Sequence, residues 1–125
     1  MALSDWDLDL RAGEAGESLL ADLLSIDTVE VKTDRRWKDT GNLYIETTCY
    51  YVATQQWKDS GIMVSKATHW AFILENSVLI IEKDKLQKAV LEWGKPIHCD
   101  IEPNPSRGYL ITPNELLEYV RRSVY

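Results

Sequence analysis

Cysteine is scarce in this chain: the two present, Cys49 and Cys99, form neither a C-x-x-C pair nor any Cys/His spacing. That scarcity excludes a disulfide framework and argues against a zinc knuckle; it points to a reduced, cytoplasmic setting with two partly buried thiols. Long hydrophobic runs are missing too, and no stretch approaches the roughly 18 apolar residues of a membrane-crossing helix. The first ten residues, MALSDWDLDL, are acidic and lack the basic-then-apolar pattern of a secretion signal. There is no internal repeat, low-complexity run or Pro/Gly/Ser-rich linker. Positive charge is in deficit, with a net charge of −6 and a pI near 4.9. This excludes a protein that coats nucleic acid nonspecifically, because such binding rests on neutralising many phosphates. It leaves room for an enzyme whose basic groups sit in one patch while its carboxylates hold a cation.

What the chain does contain is enough apolar mass for one core. Hydrophobic residues make up 45% of its 125 residues, with five Trp and six Tyr among them. That length fits a single domain spanning residues 1–125.

Periodicity divides the chain into elements. Leu19, Leu20, Leu23 and Leu24, with Ala15 and Ala21, recur at helical spacing and predict a helix over about 13–25. TVEVKTD alternates: Val29, Val31 and Thr33 point one way, and Glu30, Lys32 and Asp34 the other. A polar loop, RRWKDTGN, leads to a second strand over about 43–53, rich in aromatic and β-branched residues. QQWKDSG reads as another loop, followed by a short helical turn over 62–68. HWAFIL and SVLIIE read as two strands joined at Glu75-Asn76-Ser77, and KDKLQKAVLEW as a helix over about 83–93, closed by Gly94 and Pro96. Ile97–Ile101 and Gly108–Ile111 are expected as short edge strands. Thr112 as N-cap, Pro113 at the first helical position and Glu115 completing a capping box announce a last helix with Leu116, Leu117 and Val120 on one face. The expected class is α/β (α+β) around a small sheet.

The chemistry centres on charged strand residues. If the first two strands pair through the loop at 35–42, Asp34 and Glu46 meet near the loop end of a hairpin, and Tyr44, Glu46 and Thr48 share a face. Two carboxylates on neighbouring strands suit a hard divalent cation such as Mg²⁺. A lysine nearby can orient an attacking water and offset charge developing on a phosphate. Glu17 can supply a third acid from the first helix. Three charged residues on one strand face also fit an ordinary solvated face, and E-x-K alone is a weak motif.

The series GEAGE, EVKTD, TGNLYIE, SGI and KATHW, spread over residues 13–74, resembles the phage-type branch of the PD-(D/E)XK nuclease superfamily. The resemblance implies a restriction-endonuclease-like αβββαβ core with a mixed central sheet flanked by helices, over about 13–94, with 95–125 as a C-terminal extension. It also implies dependence on Mg²⁺ or Mn²⁺ and hydrolysis of DNA phosphodiesters to 5′-phosphate and 3′-hydroxyl ends. Relatives include restriction enzymes and Holliday-junction resolvases. Asp34 matches the family's first metal-binding acid, Glu46 the second and Glu17 the helix acid. The lysine expected two positions after the second acid is replaced by Thr48, and Lys32 is expected to fill the same space. A literal reading of Glu30-Val31-Lys32 as E-x-K fits worse, since Asp27 would point to the opposite face. His69 stands where the family pattern would place an aspartate, and a lone histidine at a strand start is more often structural.

Arg35, Arg36, Trp37 and Lys38 beside this site suit phosphate contact and base stacking, and Lys66 could meet a phosphate. Gln55, Gln56, Trp57 and Lys58 make a second polar-aromatic loop able to face DNA or a twin subunit. Cutting two strands would call for a two-fold homodimer. The expected function is a divalent-metal-dependent endodeoxyribonuclease in phage DNA recombination, repair or degradation. The competing readings are a non-catalytic DNA-binding or assembly module that keeps the fold, and an unrelated α/β interaction domain.

Overall fold

In a computed structural model the chain is described over residues 28–34, 37–101 and 104–123. The expected helix over 13–25, with Glu17, lies outside these residues, as do Arg35 and Arg36. The described elements are β1 (Val29–Thr33), α1 (Trp37–Thr40), β2 (Leu43–Tyr51), β3 (Gln56–Asp59), a 3-10 turn (Gly61–Met63), β4 (His69–Leu74), β5 (Ser77–Glu82), α2 (Lys83–Trp93), β6 (Lys95–Cys99), β7 (Ser106–Ile111) and α3 (Pro113–Ser123).

The architecture is mixed α+β, with a mixed sheet and an antiparallel sheet flanked by helices. A three-stranded sheet has the order β1-β4-β5, with β1 parallel to β4 and β4 antiparallel to β5. A four-stranded antiparallel sheet has the order β3-β2-β7-β6. The expected β1–β2 hairpin does not form. Where a two-residue turn closes β4 onto β5, the β1–β2 connection contains the α1 turn, and β1 finds its partner in β4. The segment QQWKDSG, expected as a loop, supplies β3, because Gln56–Asp59 folds back onto Thr48–Tyr51. β6 is an edge strand as expected, but β7 lies between β2 and β6. Residues 95–111 thus contribute half of the larger sheet rather than trailing after a finished core.

One buried cluster joins both sheets to both longer helices. Trp70, Phe72 and Ile81 come from the three-stranded sheet and Leu43, Ile45 and Ile111 from the other; Leu86, Ala89 and Val90 come from α2 and Leu116 from α3. The continuous apolar run of HWAFIL, buried from Trp70 to Phe72, and the helical spacing in KDKLQKAVLEW suit this enclosure. The capping box forms as its sequence predicts. Glu115 N donates to Thr112 Oγ1 and Thr112 N to Glu115 Oε1, each at 3.1 Å. Trp93 of α2 meets Tyr119 of α3 edge-on at 5.1 Å between ring centroids.

Candidate functional site

β1 is turned the unusual way round. In its parallel register Glu30 lies beside Trp70 and Lys32 beside Phe72, so the charged face points at buried aromatics. Val31 on the opposite face is 61% exposed. A strand stabilised by burial alone would carry these faces the other way, since half-burying charge costs free energy unless it is paired. The charges are paired. Lys32 Nζ lies 3.2 Å from Glu30 Oε2 and 5.1 Å from the centre of the Trp70 ring. Ser65 Oγ donates to Glu30 Oε1 at 3.4 Å and accepts from Trp70 Nε1 at 3.0 Å, so the loop before β4 holds both Glu30 and Trp70.

Although β1 and β2 do not pair, Asp34 joins them. The Tyr44 amide donates to Asp34 Oδ2 at 2.9 Å. Glu46 lies two residues along β2 on the same face as Tyr44, about 6.6 Å away by strand rise. Lys32, Asp34, Tyr44 and Glu46 all line one cavity of about 780 Å³, which Trp70 and Phe72 floor and the β6 end, from Ile97 to Ile101, walls. A smaller cavity of about 320 Å³ between β5 and α3 includes His69 and none of the other candidate residues.

The position of Glu46 depends on a bulge. Glu46 pairs with Gly108 and Thr48 with Arg107, which leaves Thr47 as an extra residue. The inserted residue is satisfied locally, with Ser60 N donating to Thr47 O at 2.9 Å and Thr47 Oγ1 donating to Arg107 O at 3.2 Å. Buried Ser60 then donates its hydroxyl to Glu46 Oε2 at 2.8 Å. Gly61 follows at φ +54°, where a Cβ would stand 2.2 Å from Glu46 O. Only glycine meets both conditions at low cost. The SGI segment is thus the clamp on the second acid, a role that its sequence alone did not reveal.

The bulge corrects the expectation that Tyr44, Glu46 and Thr48 share a face. Directly opposed residues share a face and β7 alternates, so Thr48 across from Arg107 points away from Glu46 across from Gly108. Thr48 does not line the cavity. A lysine at position 48 would therefore point away from the acids, whereas Lys32 lines the cavity with them.

The surroundings of Glu46 also leave electrostatic marks. The Tyr44 hydroxyl is held above its ordinary value, first by burial and then by the Glu46 charge, against a lowering by its 2.7 Å bond with Ser106. Burial, and secondarily Glu46, raise the Cys49 thiol.

The basic loop expected beside the site is divided. Trp37 is half-buried against the core within α1, so its ring is not a free stacking surface. Lys38 is ion-paired with Glu75 at 3.1 Å, and Lys66 is exposed. The cavity also takes in groups that no sequence motif marks, the β6 end with His98 and Asp100, and Ser60 holds Glu46 from beside it. For Ser60 the only available signal was its place before a glycine in SGI.

The donor chemistry suits a hard cation: carboxylates from the end of β1 and from β2, oxygen ligands that Mg²⁺ uses alongside water. Among the described residues no group of three or more His, Cys, Asp or Glu could hold a metal ion. Any third acid from Glu17 lies outside them. No helix among the described residues is long and apolar enough to cross a membrane. Comparison with protein-family models, with curated proteins and with solved structures finds no match for this chain.

Proposed function

We propose that this protein is a divalent-metal-dependent endodeoxyribonuclease with a restriction-endonuclease-like core, acting on phage DNA in recombination, repair or degradation, and able to select junctions or other DNA structures. The observation that carries the reading is convergence. Lys32 on β1, Asp34 directly after that strand and Glu46 on β2 come from strands of different sheets or their ends and line one cavity. Asp34 and Glu46, with Glu17 as the third acid, would hold Mg²⁺ or Mn²⁺, which supplies positive charge at the phosphate and a nucleophile at neutral pH. Lys32 offers an ammonium to a phosphate oxygen, oriented by Glu30 and the Trp70 ring. Ser60 keeps the Glu46 carboxylate aimed into the cavity. Cutting both strands of a duplex or junction calls for a two-fold dimer.

A second reading, a DNA-binding module that does not cut, is favoured by the lack of a three-ligand group among the described residues. Cleavage assays with Mg²⁺ or Mn²⁺ on supercoiled, single-stranded and four-way-junction DNA separate the two. The nuclease cuts at least one substrate; a folded protein that cuts none with either metal is the binding module. Asp34→Ala is expected to abolish cutting, and persistent activity would sink the assigned site. Lys32→Ala is expected to cripple cutting while Thr48→Ala leaves it nearly intact.

A further inference from the structure

The larger sheet has a face that changes character along its length. Near one end Leu43, Ile45 and Ile111 are buried in the core. Past the bulge at Thr47, the same face carries Tyr50 from β2, Trp57 from β3, Arg107 from β7 and His98 from β6, one residue from each strand. Trp57, Arg107 and His98 are all exposed. A tryptophan on a short exposed edge strand costs solubility and invites association, so burial does not explain Trp57.

The four side chains are ordered against one another. The Arg107 guanidinium lies over the Trp57 ring, 4.0 Å from its centre. Tyr50 packs at 5.4 Å from Trp57 with the rings tilted by 53°, and His98 meets Trp57 edge-on at 5.7 Å. Arg107 Nε donates to His98 Nδ1 at 3.4 Å, and His98 Nε2 lies 2.5 Å from Asp100 Oδ1. Arginine can only donate, so Nδ1 is the acceptor and the ring donates from Nε2 to Asp100. Asp100 therefore orients His98, His98 orients Arg107, and the guanidinium is held over the indole. No hydrogen bond to a described residue engages its two terminal nitrogens.

We propose that this Trp57–Arg107 stack binds an unpaired base of single-stranded DNA, with the terminal nitrogens of Arg107 meeting the adjoining phosphate. The inference rests on the proposed nuclease function for the identity of the polymer, and deepens it by naming the substrate class. Flat rings and a guanidinium present π-surfaces that any base can cover, and a duplex hides those base faces in its own stack. Continuity with the site favours DNA over a protein partner: His98 and Asp100 also line the cavity that holds Asp34 and Glu46. A strand leaving the cavity across the β6 edge arrives at the stack. Specificity for unpaired bases also suits a chain whose net charge of −6 gives it little general attraction for duplex DNA.

The test is fluorescence anisotropy of a fluorescein-labelled oligothymidylate and of an equally long labelled duplex, in EDTA so that nothing is cut, with the full chain. Trp57→Ala is expected to weaken single-strand binding by about 5- to 150-fold while changing duplex binding by less than about twofold, as for the loss of one stacked base. Arg107→Ala is expected to weaken it as well and to flatten its salt dependence, and Trp57→Phe to retain much of it. The two latter variants decide the matter if Trp57→Ala fails to fold. The inference is overturned by equal single-strand binding in all variants, by parallel loss on both DNAs, or by no binding of either DNA by the unaltered protein. It is also overturned if Trp57→Ala leaves DNA binding alone and turns a dimer into a monomer by light scattering, which would make the stack a contact between copies. Metal-dependent cutting of supercoiled DNA is scored separately. Cutting without a Trp57 effect ends this inference alone, and Trp57-dependent binding without cutting ends the nuclease reading alone.

Discussion

Strand β2 is buried at one end and open at the other. Over Leu43–Glu46, Leu43 and Ile45 are fully enclosed on one face while Tyr44 and Glu46 face the cavity on the other. Over Thr48–Tyr51 the strand pairs with the exposed β3, and Tyr51 is 41% exposed. Both halves are rich in the aromatic and β-branched residues that favour strands, so propensity does not separate them. The separation comes from Thr47. One extra residue turns the second half over, so that apolar alternation serves the core before the bulge and a polar-aromatic surface after it. A single bulge thus lets one strand hold a half-buried acid and present an open face.

The largest way to break this contrast is Ile45→Ala. Ile45 is 0% exposed, and its truncation is expected to cost about 2–5 kcal/mol in urea unfolding. Next is Gly61→Ala, which puts a Cβ against the Glu46 carbonyl at a positive φ. An expected loss of about 1–3 kcal/mol should come with a fall in the proposed cutting, because Glu46 has to move. Ser60→Ala sharpens the comparison further. It removes the hydroxyl on Glu46 and is expected to cost about 1–2 kcal/mol in stability, with a larger proportional loss of the cutting proposed above. At the open end, Tyr51→Ala is expected to change stability by no more than about 0.5 kcal/mol. An equal loss at Ile45 and Tyr51 would erase the distinction between the halves.

The smallest effect lies away from β2, on α3. Arg121 and Arg122 hydrogen-bond Glu118 and hold its carboxyl at about 2, below its ordinary 4.5. A depressed folded-state value stabilises the fold above the ordinary value, and that contribution is lost as pH falls from 4.5 towards 2. Over that range the melting temperature of the unaltered protein is expected to fall slightly more than that of Glu118→Gln. Because the pair is exposed, added salt should shrink the difference.

How legible each part was in the sequence follows from how local its cause is. The β4–β5 hairpin, the helix at 83–93 and the last helix with its capping box are set by neighbours within a few residues, and each forms as the sequence predicts. β3 was hidden because its four exposed residues carry no hydrophobic alternation, and only pairing with β2 makes it a strand. β7 looks like an edge strand in the sequence and is not one, because length and composition say nothing about which strand arrives on its far side. In the site, Lys32, Asp34 and Glu46 were legible as residue types at telling spacings. The partners that aim Glu46, Ser60 and Gly61, were not, because they act across a bulge visible only in the register with β7.

By itself the sequence determined the helices α2 and α3, the β4–β5 hairpin and the charged face of β1. All of these follow from periodicity and local chemistry. Tertiary structure alone decided that β1 pairs with β4 rather than β2, and that its charged face lies against Trp70. It also decided that Thr48 points away while Glu46 points into the cavity. Strand pairing brings together residues far apart in the chain, and the choice among partners depends on the free energy of the whole packed core. One unpaired residue at Thr47 was then enough to reverse every side chain that follows it on β2.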